Sequence, residues 1–406
     1  MVWKALSQAS IDLWILEKLD THQIPRARKC TQSRNGNIRA IHLDLPRLQS
    51  RQAGEHAMAA CDNDQPVTLL AHYHMPHFVY AIGAALVDTE IAVSDSDLDQ
   101  LGIEKGMMTL VDESRQTEIK THLAEALSHA NHACGGSAGN SVIAASQFGA
   151  PTYMSCLVSN DADGDIYIAD LETSGVSHGF LEERRSGTTG KCLVLITPDA
   201  ERSMNTFLGV SETLSVTEVN EQAIADSQWV YLEGYLVTSP TGHEAALKTK
   251  AIARTTDTKV AVSFSDPGMV TFFRDNMNQI IEGGVDLIFC NEIEALGWAE
   301  TDDLDEAATK LKAVTQSFVI TRGGEGAILF DGAKTYEIAA EKVDAVNTNG
   351  AGDMFAGAFF FALWRESDMR SACEFAAKAA ARVVCQSGPR LSLSDSIELR
   401  NSHFDA

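Results

Sequence analysis

Asn347-Thr348-Asn349-Gly350-Ala351-Gly352-Asp353 leads without a break into Met354-Phe355-Ala356-Gly357-Ala358-Phe359-Phe360-Phe361-Ala362-Leu363-Trp364. A turn of small residues opens directly into an apolar helix, and Phe359, Phe360 and Phe361 read as core beneath it. Gly350 and Gly352 let the backbone approach a ligand closely and take up positive φ. The first amides of the helix point, unpaired, into the same space, where the macrodipole favours an anion. Asp353 stands in the first turn beside that anion. A carboxylate next to phosphate weakens affinity, because like charges repel. It is suited to taking a proton from a hydroxyl that then attacks phosphorus. The alternative is an ordinary helix start with Asp in its first turn.

Working outward, three more loops carry ligand-binding chemistry. Cys134-Gly135-Gly136-Ser137-Ala138-Gly139-Asn140-Ser141 again runs into a helix, over Val142 to Phe148. Its glycines and one amide side chain suit a polyhydroxylated ligand, or simply a flexible turn. Thr321-Arg322-Gly323-Gly324-Glu325-Gly326-Ala327 lies between two strands; it reads either as a hairpin turn or as a loop against a nucleotide. Asn291-Glu292-Ile293-Glu294 follows the strand Leu287–Cys290. Asn291 and Glu294 share a helical face and could orient waters around Mg2+, or form a capping box, or both. Asp88 follows the first strand; its carboxylate could accept from two vicinal hydroxyls, or be a solvated loop residue. No GxGxxG leads into a helix and no GxxxxGK[ST] occurs, which disfavours a dinucleotide site and excludes a Walker-type loop.

Short apolar runs predict buried strands at Phe78–Gly83, Cys192–Thr197, Trp229–Leu232, Val260–Ser263, Leu287–Cys290 and Phe318–Thr321. Helical spacing links Leu304, Ala307, Ala308, Leu311 and Val314, and again Ala372, Phe375, Ala376, Ala379, Ala380 and Val383. Alternating strands and helices predict an α/β fold, a mainly parallel sheet covered on both faces. A small β appendage over the sheet edge is expected near 84–95 and 165–210. Residues 1–74 are weakly basic, unlike the acidic remainder. They are expected to be an extension outside the catalytic fold 75–406, poorly ordered apart from a short amphipathic helix at Ile11 to Leu19, with Met75 as the working start.

The chain has 406 residues and a net charge of −24, which disfavours a nucleic-acid partner, since phosphate neutralisation needs clustered cations. None of the eight cysteines forms a CxxC pair, so a zinc ribbon or thioredoxin-type site has no support. His72, His74 and His77 lack regular spacing and a fourth ligand, and read as linker. No apolar stretch is long enough for a membrane helix and no secretion signal is visible. A cytoplasmic enzyme, monomer or homodimer, is expected.

Together these residues resemble the ribokinase-like, or PfkB, carbohydrate and nucleoside kinases. The order matches along about 75–406: Asp88 after the first strand, GGSAGN, NEIE, the GGEG loop, then TNGAGD. Thr197 to Gly209 and Ser387 to Leu391 resemble the bacterial adenosine-kinase-like branch. The resemblance implies a ribokinase-like three-layer sandwich with a small β lid that closes over the acceptor and excludes water. It implies Asp353 as catalytic base and Gly350, Ala351 and Gly352 as the anion hole. Asp88, Gly135, Gly136 and Asn140 become acceptor contacts, and Thr321, Gly324, Gly326 and Asn349 the ATP side. Asn291 and Glu294 become the Mg2+ and phosphate positions. Asn347 departs from the usual Asp there, which puts dependence on a monovalent cation such as K+ in question. The expected activity is ATP-dependent phosphorylation of a nucleoside 5′-hydroxyl, most of all adenosine's. A PfkB sugar kinase acting on ribose or fructose is the alternative, and a non-catalytic binding relative the third reading.

Overall fold

The computed structural model describes residues 29–32, 39–42, 77–179 and 184–404. Ile11 to Leu19, His72, His74 and Met75 lie outside the described residues. In the unit Met1–His74, Lys29–Gln32 and Arg39–His42 pair as antiparallel strands. The unit Met75–Ala406 carries everything that follows.

Its main sheet has nine strands. From one edge the order is Thr335–Ile338, Ala327–Phe330, Thr315–Thr321, Val285–Asn291, Lys259–Ser263, Ser227–Leu232, His77–Ile82, Thr152–Ser155 and Ser177–His178. The pairings from Thr315–Thr321 through Ser177–His178 are parallel, and the last two at the opposite edge antiparallel. Successive side chains in a strand face opposite ways, so each strand feeds two cores. Val79 and Ala81, and Trp229 and Tyr231, face one core; Tyr80 and Ile82, and Val230 and Leu232, face the other. The first core is closed by helices Ser137–Phe148, Ala351–Trp364 and Met369–Val383, the second by Pro240–Thr255, Glu292–Ala299 and Leu304–Lys312. The result is three layers, the helices covering a sheet that is apolar on both faces.

A second sheet of five strands forms the lid, in the order Met108–Leu110, Arg202–Phe207, Gly190–Ile196, Leu86–Ala92 and Asn131–Gly135. Its odd-numbered Ile91, Leu193 and Leu195 pack with Leu98, Leu101 and Ile119 behind it. Its even-numbered Asp88, Cys192, Met204 and Thr206 line a cavity in front.

The lid differs from the sequence expectation of segments near 84–95 and 165–210 in two ways: its strands Met108–Leu110 and Asn131–Gly135 lie outside both segments, and the second segment begins too early. Residues from 165 were expected in it, but Ala162–Thr173 is a helix whose Tyr167 and Leu171 enter the first main core, and Ser177–His178 extends the main sheet. Thr, Gly and charge suggested lid strands here, while the buried 164, 167, 171 spacing is that of a helix. The run Cys192–Thr197 is a strand, Gly190–Ile196, but of the lid rather than the main sheet.

Candidate active site

The carboxyl ends of the parallel strands open on one edge of the sheet, where α/β proteins gather ligand-binding residues. Glu233 follows Ser227–Leu232, Ser263 ends its strand, and Asn291 and Thr321 close theirs. All four line a cavity of about 690 Å3 that the lid strands cover. The size is within the usual range for a small-molecule site.

At the cavity floor the helix Ala351–Trp364 begins. Gly350 is its N-cap at φ 75°, and no side chain caps it. A Cβ on Gly350 would fall 2.2 Å from the carbonyl oxygen of Pro389, so only glycine fits there; nothing lies within 4 Å of a Cβ on Gly352. The space over Gly352 is therefore open to a ligand at the start of the helix, as a phosphate site requires, while the Ala351 amide donates back to Thr348 O at 3.3 Å.

Asp353 is held from both sides. Ser137 Oγ donates to its Oδ1 at 2.6 Å, and Asn140 Nδ2 to its Oδ2 at 2.9 Å. Burial raises its pKa, while these two hydrogen bonds and the charges of Arg202 and Arg390 oppose the shift. The two glycine-rich turns are thus joined through one carboxylate, across more than two hundred residues of chain.

Two buried oxygens in this corner have no protein partner, Asp88 Oδ1 and Asn140 Oδ1. Burial first, then the charges of Glu90 and Asp353, push Asp88 up to about 7. An unpaired buried acceptor is costly, and hydroxyls of a ligand would satisfy both. Gly136 lines the cavity, whereas Gly135 does not. A Cβ on Gly135 would lie 2.2 Å from Asp88 Oδ1, so that glycine makes room for the carboxylate.

Asn291 and Glu294 form a capping box. Glu294 Oε2 accepts from Asn291 N at 2.9 Å, Glu294 Oε1 from Asn291 Nδ2 at 2.8 Å, and Glu294 N donates back to Asn291 Oδ1 at 2.8 Å. Burial pushes Glu294 up to about 7, and Asp266 adds to the shift. A buried carboxylate beside another is the environment a divalent cation relieves. Among the described residues no three His, Cys, Asp or Glu side chains converge as metal ligands. Mg2+, which keeps several waters, fits such a sparse protein contribution.

Thr321, Gly324, Gly326, Asn349 and Ala351 also line the cavity. Gly324 has no atom within 4 Å of a Cβ, but a Cβ on Gly326 would strike the carbonyl oxygen of Ile338 at 1.9 Å. Gly324 is thus free to meet a ligand, and Gly326 is fixed by the packing of the hairpin. The Asn349 side chain donates to Glu90 at 3.2 Å.

Three cavity residues escaped the sequence reading. Ser137 lay inside a quoted motif. Glu233 accepts from Ala84 N at 3.2 Å and Ala138 N at 2.8 Å, and so fixes the loop before Asp88 and the start of Ser137–Phe148. Its place directly after a parallel strand was a usable signal, the same one that picked out Asn291. Arg202, on a lid strand, lines the cavity with a buried Nε that has no partner; it lay within the quoted stretch Thr197 to Gly209, to which no role was given.

The profile of the family described as pfkB family carbohydrate kinase matches residues 106–396. The chain belongs to the pfkB family. As a member it is an ATP-dependent kinase with a hydroxyl group as acceptor, and membership implies ATP and, in general, Mg2+. Among pfkB relatives, the adenosine kinase of Schizophyllum commune is 26% identical over 343 residues, 77% of this chain and 96% of its own. The adenosine kinase structure from Sinorhizobium meliloti is 30% identical with a TM-score of 0.74, covering 80% of this chain and 99% of its own. A probable sugar kinase from Rhizobium etli is also 30% identical, with a TM-score of 0.74 and coverage of 80% and 98%. The ribokinase-like three-layer architecture is therefore shared with the two solved structures.

Proposed function

We propose that this kinase phosphorylates the 5′-hydroxyl of a nucleoside, adenosine above all, giving the monophosphate and ADP. The observation that carries this reading is the apolar wall beside the polar corner. Leu86, Met108, Leu110, Met204 and Leu208 face the cavity from the lid side, next to Asp88 and Asn140. A free sugar carries hydroxyls round its ring and would leave that wall unmatched. A ribose bearing a flat base satisfies the polar corner and covers the wall. The relatives named as adenosine kinases support the same acceptor.

In this reading the ribose hydroxyls meet the unpaired oxygens of Asp88 and Asn140. Asp353 takes the proton of the 5′-hydroxyl as it attacks the γ-phosphorus. Burial has raised its proton affinity, which improves a carboxylate as a base near neutral pH. Ser137 and Asn140 fix the direction of its lone pairs. The amides of the Gly350–Gly352 turn face the charge that develops on the transferring group, and Arg202 adds a cation from the lid. Thr321, Gly324 and Gly326 border the nucleotide. Asn291 and Glu294 would hold hydrated Mg2+, which when bound neutralises phosphate charge. We place the enzyme in the cytoplasm, where its phosphoryl donor is held, and read residues 1–74 as outside the catalytic fold.

The test is ADP release measured across nucleosides and free sugars, with Asp353→Asn as the control. Adenosine should exceed ribose and fructose in kcat/KM by at least about 100-fold, the discrimination available from matched burial and hydrogen bonding. Higher kcat/KM on ribose or fructose would replace the acceptor assignment. Near-normal turnover by Asp353→Asn would overturn the catalytic one.

A further inference from the structure

Glu90 lies two residues beyond Asp88 on the strand Leu86–Ala92, on the same face, yet outside the cavity. It is only 4% exposed. Its Oε1 accepts from Asn347 Nδ2 at 2.9 Å and Asn349 Nδ2 at 3.2 Å, and its Oε2 from Gly388 N at 3.0 Å. Asn347 Oδ1 in turn accepts from Asn349 N at 2.8 Å. Three segments distant in sequence thus meet on one carboxylate: the lid strand, the turn ahead of Asp353, and the loop around Pro389 against which Gly350 packs. Burying a carboxylate is expensive unless donors match it. Here every partner is an N–H donor, the complement a carboxylate needs. Asn347 and Asn349 supply no charge, so Glu90 is the anchor of the turn. A second tie runs the same way, since Thr348 Oγ1 donates to Ala200 O at 3.2 Å in the lid loop.

We propose that Glu90 is a positioning residue for phosphoryl transfer, locking the Asn347–Gly350 turn to the acceptor-binding strand so that the helix amides and Asp353 are aimed together. Acceptor contact by Asp88 and anchoring of the anion site by Glu90 then belong to one rigid strand, and seating the acceptor aligns the phosphate site. The inference rests on the reading of that turn as the phosphate site.

Glu90→Gln keeps the shape but turns one acceptor into a donor facing two amides. It should lower kcat by about 10–100-fold, the cost of misplacing a catalytic group by about 1 Å. The KM for adenosine should move by less than about threefold, since Asp88 and Asn140 keep their places and loss of the Glu90 charge favours the charged, accepting form of Asp88. Asn347→Asp alone sets two carboxylates face to face and should lower kcat as well. The double variant Glu90→Gln with Asn347→Asp re-forms the amide–carboxylate pair the other way round. One donor is left short, so rescue is partial: kcat should rise about tenfold above either single variant. Kinetics are read on protein whose thermal unfolding confirms the fold, because a purely structural role would change the melt and leave kcat of the folded enzyme alone. A Glu90→Gln kcat within about twofold of the parent overturns the proposal. So does a double variant no better than Asn347→Asp, a comparison that still decides if Glu90→Gln does not fold. Failure of the site reading is seen separately, as retained turnover in Asp353→Asn.

Discussion

Asp353 is the base of the proposed reaction, and its environment works in two directions. Burial raises its pKa; Ser137 and Asn140 pull it back by donating to the charged form. A base acts deprotonated, so kcat/KM should fall as pH drops through the free enzyme's Asp353 pKa, which burial holds above that of an ordinary aspartate. Ser137→Ala removes one stabiliser of the carboxylate. The pKa must then rise further, and the acid limb of the pH–rate profile should move to higher pH while the alkaline plateau falls less than in Asp353→Asn. An acid limb unmoved, or moved to lower pH, would show that Ser137 does not tune the base. The residues that matter at this scale divide by distance in sequence. Asp353 and Asn140 were legible because each sits in a glycine turn that opens a helix, a local arrangement. Glu233 and Glu90 were not, because what makes each important is a partner brought close only by folding, and Arg202 was not, because only folding brings it to the cavity wall.

At the scale of elements, the helix Ala351–Trp364 separates two glycines that look alike in sequence. Gly350 takes φ 75° and abuts Pro389; Gly352 sits in the first turn with nothing around its would-be Cβ. Gly350→Ala forces a left-handed backbone, at about 1–2 kcal/mol, and a clash besides. It should lower the unfolding midpoint and activity together. Gly352→Ala exchanges a poor helix former for a good one, a gain of up to about 1 kcal/mol. Its methyl, however, projects into the open space where the proposed phosphate site lies. That variant should melt at the same temperature or higher, yet lose at least about tenfold in kcat/KM for ATP. Thermal melts with ATP titrations separate the two cases, and equal stability losses would refute the division. The strand pattern was legible at this scale because two-faced burial leaves uninterrupted apolar runs. The lid boundary was not, because Ala162–Thr173 shows only a narrow apolar stripe, and Thr, Gly and charge masked it.

For the whole molecule, a chain of net charge −24 that binds polyphosphate must overcome its own field. In the proposed site the local answer is the open helix start at Gly350–Gly352 with Arg202 and Lys342 on the cavity wall, short-range contacts that a screened exterior does not cancel. All of these lie in the unit Met75–Ala406. The pfkB profile begins within it, and the Sinorhizobium meliloti structure is matched over 99% of its length by 80% of this chain. If residues 1–74 stand outside the catalytic fold, their removal leaves in place the described cavity residues, the nine- and five-stranded sheets and the described partners of Asp353 and Glu90. Protein beginning at Met75 should then melt in one transition close to that of the full chain, with kcat and both KM values within about twofold. The comparison is run on the two proteins side by side, by thermal unfolding and ADP release. A drop in kcat at unchanged fold would mean that the basic first segment supplies something to the site, and the boundary at Met75 would have to be abandoned.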